Sequence, residues 1–267
     1  MTTNDILGGL LEPGRITMVF QPIVANAPEG QKLFALEALA RGPRGTNMER
    51  PDLMFAYARR KNREVVLDQC CLEIALKAAA VLPGDTVISL NVHAATLTTI
   101  PGFADWLGTR SARVGIDPSR LIIEIVEHGG PHGPTDLGEA LSALRGGGTR
   151  IAVDDIGWGD ANYRMLIDCR PEYLKVDGYV VRGCTSDPYR RAILRGTVAL
   201  AASSNGFVIA EGVECVEDMA TVGELGIDIV QGFLISEPMT TEELVKSRFL
   251  ASSVVDTTSG RTAAAEV

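Results

Sequence analysis

The stretch RIAVDDIGWG, residues 150–159, places an apolar run directly before two adjacent acids and a glycine-rich turn. A short apolar run of this kind is typical of a buried strand. Adjacent carboxylates raise each other's pKa, and taken alone they are also common turn and helix-cap residues. Because neighbouring side chains of a strand point to opposite sides, one of Asp154 and Asp155 can reach inward while the other lies over the rim.

Seven further runs of the same character occur along the chain. The eight candidate strands are ITMVFQPIV (16–24), LFALEALAR (33–41), TVISLNV (86–92), RLIIEIVE (120–127), RIAVDD (150–155), YLKVD (173–177), FVIAEGVE (207–214) and DIVQGFLI (228–235). Most are almost continuously apolar, which indicates strands that are covered on both faces. They alternate with helical patterns over 64–82, 187–205 and 215–225, and with a last helix that opens with the capping pair Thr240 and Glu243.

Eight strands in 267 residues favour an α/β fold of the TIM-type (β/α)8 barrel over an open doubly wound sheet. We expect one barrel domain over residues 1–250. The small and polar residues 251–267 indicate a frayed C-terminal tail. Gly206 is suited to end the helix over 187–205, and Val66, Cys70 and Ile74 share one face of the helix over 64–82.

Composition narrows the functional classes. The net charge of −9 disfavours a long nucleic acid as partner, whereas a small phosphate ligand remains possible if metal ions offset the acids. No apolar run reaches the ~18 residues that cross a bilayer, and the N-terminus is a poor signal peptide, so we expect a cytoplasmic protein without membrane insertion. Five cysteines without a CxxC motif predict reduced thiols, and the three histidines lack HExxH spacing.

A polar residue stands near the end of every candidate strand. These residues are Gln21, Glu37, Asn91, Glu124, Asp154 with Asp155, Lys175, Glu211 and Gln231. In a closed barrel the carboxyl ends of the strands meet at the rim that carries the active site. Several carboxylates in one cup repel each other unless hard cations lie among them, and oxygen ligands favour Mg²⁺ or Mn²⁺. Two such ions are a recurring device for phosphodiester cleavage, and a lysine can stabilise the developing charge.

Structural roles remain open for each residue taken singly. Glu37 can be a solvated charge at a strand end or can pair with Arg41, and Lys175 can form a structural ion pair with Asp177 or with a nearby acid. Glu124 is the more informative acid, because it interrupts the apolar run LIIEIV and burial of a charge is costly without a partner. The shared register of the whole set favours one site.

The segment LFALEALAR, with Glu37-Ala38-Leu39, resembles the signature of EAL-domain cyclic-di-GMP phosphodiesterases. Further matches follow in the family's order: QPIV, SLNV, LIIEIVE, IAVDDIG, YLKVD, FVIAEGVE and VQGFLIS. The resemblance covers roughly residues 15–248. It implies a barrel whose first strand is antiparallel to the rest, hydrolysis of cyclic di-GMP to linear pGpG with one or two Mg²⁺ or Mn²⁺ ions, and commonly a homodimer.

The resemblance also implies roles by position. It assigns metal ligands to Glu37, Asn91, Glu124, Asp154 and Asp155, catalytic functions to Glu37, Lys175 and Glu211, substrate contacts to Gln21, Arg41 and Gln231, and the anchor of the loop after the fifth strand to Glu127.

The chain departs from the family pattern mainly in that loop, where DDIGWGDANYRML stands in place of DDFGTGYSSL. His93 also replaces a common serine, and Glu237 stands where a basic residue is usual. These departures keep open a second hypothesis, a catalytically impaired domain that acts as a cyclic-di-GMP receptor or protein-interaction module. A third is an enolase-like Mg²⁺ enzyme with Lys175 as base. Since no sensory segment is apparent, we expect any sensor or regulator to be a separate protein.

Overall fold

The computed structural model describes residues 6–27, 30–126, 136–157 and 163–251. Eight strands form a closed barrel in chain order. They are β1 Thr17–Ala27, β2 Gly30–Arg41, β3 Ile88–His93, β4 Leu121–Val126, β5 Arg150–Ile156, β6 Tyr173–Val176, β7 Phe207–Ala210 and β8 Ile229–Val230. Strand β1 is antiparallel to both of its neighbours, whereas β2 to β8 pair in parallel. The predicted barrel and its inverted first strand are confirmed.

Helices cover the outside of the barrel. Within the described residues they are α1 Ile6–Leu10, α2 Pro51–Arg60, α3 Glu64–Ala79, α4 Ala94–Thr99, α5 Phe103–Arg113, α6 Leu137–Gly146, α7 Tyr163–Cys169, α8 Gly178–Val181, α9 Pro188–Ser203, α10 Val216–Glu224, α11 Thr241–Val245 and α12 Arg248–Ala251. The capping box that Thr240 and Glu243 predict is present at the start of α11. None of the helices that the structure describes is long and apolar enough to span a membrane.

Two local predictions about the helices needed correction. Helix α9 is followed by Asn205 with a φ of 56°, so asparagine rather than Gly206 adopts the left-handed conformation. Gly206 instead permits a close approach, because a Cβ there would lie 3.1 Å from the carbonyl oxygen of Glu172. In α3 the predicted face is only partly buried, since Cys70 and Ile74 pack against the core while Val66 is exposed, and Leu67 and Cys71 are buried more deeply.

Strands β7 and β8 end earlier than the apolar runs suggested. A Cβ on Gly232 would lie 2.1 Å from the carbonyl oxygen of Val213, so the two segments that follow these strands touch backbone to backbone. The backbone hydrogen bonds between strands nevertheless continue for one residue past the end of β7 and of β8. The backbone N–H of Glu211 donates to Val176 (3.0 Å) and that of Gln231 donates to Ala210 (2.8 Å). Both side chains are therefore held at the rim.

The interior of the barrel is layered. Its lower layer, here called the apolar layer, consists of Ile23, Ala35, Ile122, Ala152, Tyr173, Ile209 and Ile229. A second layer, here called the polar layer, consists of Gln21, Glu37, Glu124, Asp154, Lys175, Glu211 and Gln231. Each polar residue is two positions from its apolar counterpart, and residues two apart on a strand point to the same side. The order is reversed in β1 because that strand runs the other way.

Candidate active site

Lys175 lies at the centre of the polar layer and is completely buried. Its Nζ contacts four carboxylates, at 2.5 Å from Glu124 Oε2, 2.6 Å from Glu211 Oε1, 3.2 Å from Asp154 Oδ1 and 3.4 Å from Glu37 Oε2. These acids come from four different strands, so closure of the barrel is what gathers them. Of the two ion pairs suggested for Lys175, the one with nearby acids forms, whereas Asp177 instead caps α8 by accepting from the backbone N–H of Tyr179 (2.7 Å).

The acids outnumber the lysine, and their protonation reflects that excess. Burial alone would lower the pKa of Lys175, but the surrounding carboxylates hold it well above the usual value. Burial and the charge of Glu37 raise the pKa of Glu124 to about 8. Burial and the charge of Asp154 raise the pKa of Glu211 well above its ordinary value. Additional positive charge is therefore needed to keep all of these acids ionised at neutral pH.

Glu37 is held by amide groups on both sides. Asn91 Nδ2 donates to Glu37 Oε1 (2.7 Å), and Gln231 Nε2 donates to Glu37 Oε2 (2.7 Å) and to Gln21 Oε1 (3.0 Å). Burial opposes ionisation of Glu37, but Lys175 and the two amides outweigh it, so its pKa lies below the usual value. Gln21 is fixed in turn, since its Nε2 donates to the carbonyl of Ser236 (3.0 Å).

The two adjacent aspartates lie closer together than strand alternation suggests. Asp155 has a φ of 56°, and the pairing register of β5 with β6 shifts between Val153 and Ile156. As a result, oxygen atoms of Asp154, Asp155 and Glu211 lie within 4.8 Å of one another. Burial and the charge of Asp154 raise the pKa of Asp155 to about 6.

This group of three carboxylates suits a divalent cation. Its donors are all oxygens, as Mg²⁺ and Mn²⁺ prefer. Oδ1 of Asp154 is buried and, in the described part of the chain, accepts no hydrogen bond, although Lys175 Nζ lies 3.2 Å away. The ion pair with Lys175 leaves the hydrogen-bonding capacity of this oxygen unused, so Oδ1 can also serve as a ligand of a cation.

The remaining candidate residues lie apart from the polar layer. Arg41 ends β2, and its Nη1 donates to the carbonyl of Ala40 (2.9 Å), so the suggested pair with Glu37 does not form a hydrogen bond in the described structure. Glu127, Trp158 and the tail over 252–267 lie outside the described residues.

Ser89 and the partner of His93 were missed from the sequence. Ser89 Oγ donates to Glu124 Oε1 (2.5 Å), and its signal was its position two residues before Asn91 on the same face of β3. His93 pairs through Nδ1 with Asp68 Oδ1 (3.0 Å), and its backbone N–H donates to Asp68 Oδ2 (3.0 Å). Asp68 lies on α3, far from β3 in sequence, so only the tertiary structure reveals this pair.

The family-model comparison matches the EAL domain over residues 4–238, and the chain belongs to the EAL domain family. Among curated proteins, it is 30% identical over 252 residues to the probable cyclic di-GMP phosphodiesterase PdeG of Escherichia coli K12, covering 92% of this chain and 49% of that one. It is 29% identical over 231 residues to the probable cyclic di-GMP phosphodiesterase PdeA of the same organism, covering 85% and 31%. The chain thus spans half or less of these relatives.

Solved structures agree with this assignment. A Klebsiella pneumoniae BlrP1 complex with manganese and cyclic di-GMP at pH 9.0 matches with 28% identity and a TM-score of 0.75, covering 87% of this chain and 58% of that one. A standalone EAL protein from Vibrio cholerae O395 matches with 24% identity and a TM-score of 0.73, covering 85% and 93%, which supports the fold.

Proposed function

We propose that this protein hydrolyses cyclic di-GMP to linear pGpG with Mg²⁺ or Mn²⁺. The observation that carries the proposal is the buried gathering of Glu37, Glu124, Asp154 and Glu211 around Lys175, beside the three-carboxylate group. The similarity to named cyclic di-GMP phosphodiesterases supports the substrate, and the BlrP1 complexes with manganese and with calcium support a divalent ion.

The metal ligands in this proposal are Glu37, Asn91, Glu124, Asp154 and Asp155, and Glu211 is close enough to contribute to a second ion. A divalent ion bound there supplies Lewis-acid activation of water and neutralises charge on the phosphate. The asparagine amide group donates to Glu37, which leaves its carbonyl oxygen as the ligand atom.

The chain's own residues then divide the remaining tasks. Lys175 carries the fixed positive charge and orients the carboxylates that surround it. Glu211 lies beside Asp154 and Asp155, so its carboxylate is placed to accept a proton from the attacking water when a bound divalent ion keeps it ionised. Oε1 of Gln231 is buried and, among the described residues, accepts no hydrogen bond, so it is available to a donor on the substrate. We assign Gln21 and Arg41 to substrate binding beside it.

The hydrolysis assay tests this proposal directly. Purified protein should convert cyclic di-GMP to pGpG with Mg²⁺ or Mn²⁺, and EDTA should stop the reaction. The variant Glu37→Gln should be inactive, whereas Glu242→Gln, which removes an exposed acid on α11, should retain wild-type turnover. No product at high protein concentration with either metal would exclude hydrolysis.

The altered loop sequence supports a second candidate function, a receptor that binds cyclic di-GMP without turnover. Calorimetric titration run beside the assay separates the two functions. Tight binding without product would establish the receptor, and binding accompanied by turnover would establish the enzyme.

We also propose a homodimer. Helix α7 begins directly after residues 158–162 and exposes Tyr163 (78%) and Ile167 (69%), an apolar pair suited to a subunit contact. Light scattering should give the mass of a dimer for the wild type and a lower mass for Ile167→Asp. A monomeric wild type at all accessible concentrations would contradict this assignment.

A further inference from the structure

A cavity of about 250 Å³ opens beside the polar layer, on the side of β6 to β8. Its lining includes Gln21, Glu211 and Gln231 of the polar layer, and also Arg182 and Phe233. Among the described residues that line it, Arg182 is the basic one, while Glu37, Asp177, Glu211 and Glu214 are acids. An anionic or electron-rich ligand that enters this cavity therefore meets one positive group.

Arg182 lies at this cavity with its side chain 54% exposed, and it contacts Glu214 and two glycines. Its Nη1 donates to Glu214 Oε1 (2.7 Å), and its backbone N–H donates to the carbonyl of Gly178 (2.9 Å). The guanidinium also packs closely on glycine, because a Cβ at Gly178 would lie 3.3 Å from Arg182 Cζ and from Nη2. Gly212 completes this surface, since a Cβ there would lie 2.9 Å from the Cα of Gly178.

The ion pair with Glu214 uses only part of the guanidinium. Within the described residues, Nη1 is the guanidinium nitrogen that forms a hydrogen bond, so Nε and Nη2 remain available as donors. A planar pair of N–H groups matches two neighbouring acceptors on a ligand, which a lysine cannot do.

We propose that Arg182 determines specificity by donating hydrogen bonds to O6 and N7 of one guanine of the cyclic dinucleotide. This inference rests on the proposed function and names the group that distinguishes the base. Arginine is the usual bidentate partner of these two guanine atoms. Phe233, 61% exposed at the same cavity, offers an aromatic face on which the base can stack.

A contact of Arg182 with a base agrees better with the acids that line the cavity than a contact with a phosphate does. The acids that line the cavity repel a phosphate, whereas the edge of guanine is neutral. Adenine presents an amino donor where guanine presents O6, so the guanidinium would meet a donor and lose a hydrogen bond. The arrangement should therefore favour cyclic di-GMP over cyclic di-AMP.

Calorimetric titration of both dinucleotides in EDTA tests the proposal without turnover of the ligand. Arg182→Ala should weaken cyclic di-GMP binding by about tenfold or more and leave cyclic di-AMP binding unchanged. Arg182→Lys should lose the same discrimination, because it keeps the charge but not the planar pair of donors. An equal loss for both dinucleotides would assign the contact to phosphate and overturn the proposal, as would no change for either.

Two further variants serve as controls for the effect of the guanidinium position and for the loss of an arginine elsewhere. Gly178→Ala displaces the guanidinium and should lower discrimination with Arg182 still present, while Arg113→Ala removes an exposed arginine on α5 and should change nothing. Circular dichroism checks that each variant is folded. Wild-type turnover with Mn²⁺ is measured separately. Selective binding without turnover would overturn the enzymatic proposal alone, whereas a wild type that does not prefer cyclic di-GMP would overturn the role of Arg182.

Discussion

The polar and apolar layers of the barrel are one pleat apart, yet their energetics are opposite. On β4, Ile122 and Glu124 are both buried and point to the same side, and on β6 Tyr173 and Lys175 do the same. The apolar layer stabilises the barrel by removing hydrocarbon from water. The polar layer places several like charges around one ammonium group, which costs solvation free energy that the ion pairs recover only in part.

Within a single strand, the residue of the apolar layer therefore serves stability, and the residue of the polar layer serves function. A barrel interior filled with apolar side chains needs no buried lysine, so the polar layer is better explained by the ligands it can hold than by the fold it supports. Strongly raised pKa values such as that of Glu124, about 8, are typical of functional sites. The comparison predicts that substitutions in the two layers have different consequences.

The largest effect is expected in the polar layer. Glu124→Gln should reduce hydrolysis of cyclic di-GMP by at least about 10³-fold, because divalent-ion activation is worth several kcal/mol. Its free energy of unfolding without metal should change little at pH 7, since the pKa of about 8 keeps Glu124 mostly protonated. Product formation and urea denaturation measure the two quantities. A severe loss of stability in EDTA would show that the charge supports the fold.

Lys175→Met tests the ammonium at the centre of the same layer. In metal-free protein it should lower the free energy of unfolding by about 3–5 kcal/mol, because those acids around it that remain ionised, Glu37 among them, lose their common partner. Added Mn²⁺ should restore part of the loss. Lys246→Met, which removes an exposed i,i+4 pair with Glu242 at the end of α11, is the matched control and should change stability by less than about 1 kcal/mol.

The apolar layer should show the reverse pattern. Ile122→Ala should lower the free energy of unfolding by about 2–5 kcal/mol through lost burial and a cavity. Turnover per folded molecule should fall far less than in Glu124→Gln. The exposed Ile193 on α9 provides the control, and Ile193→Ala should be nearly neutral. If Ile122→Ala lost as much activity as Glu124→Gln, the apolar layer would contribute to function as well as to stability.

The smallest effect concerns His93, outside both layers. Burial disfavours its charged form, but Asp68 and Glu64 on α3 outweigh burial and the charge of Arg59 on α2, so its pKa is raised above 6.5. The stabilisation is therefore fully present below pH 6.5 and is lost as pH rises through the folded-state value. Urea denaturation should show His93→Gln to be most destabilised, relative to wild type, near pH 6. A pH-independent difference would contradict a charged His93.

Local patterns were sufficient for much of this architecture. The apolar runs predicted each strand, and the two-residue period placed Glu124 and Lys175 on the inner side, although β7 and β8 proved shorter because their last residues belong to tight turns. The contribution of Ser89 was not recognised, since a single serine in a strand carries little information until its partner is known.

The sequence by itself determined the closed barrel, the family and the residues that carry charge at the strand ends, because side-chain periodicity and the ordered motifs are local properties of the chain. Only the tertiary structure decided which charges meet. The left-handed Asp155 brings two neighbouring carboxylates to one side, Lys175 bridges acids from four strands, and Arg182 folds over glycine toward Glu214. These contacts depend on backbone dihedral angles and on distances across the closed barrel, which strand periodicity does not specify.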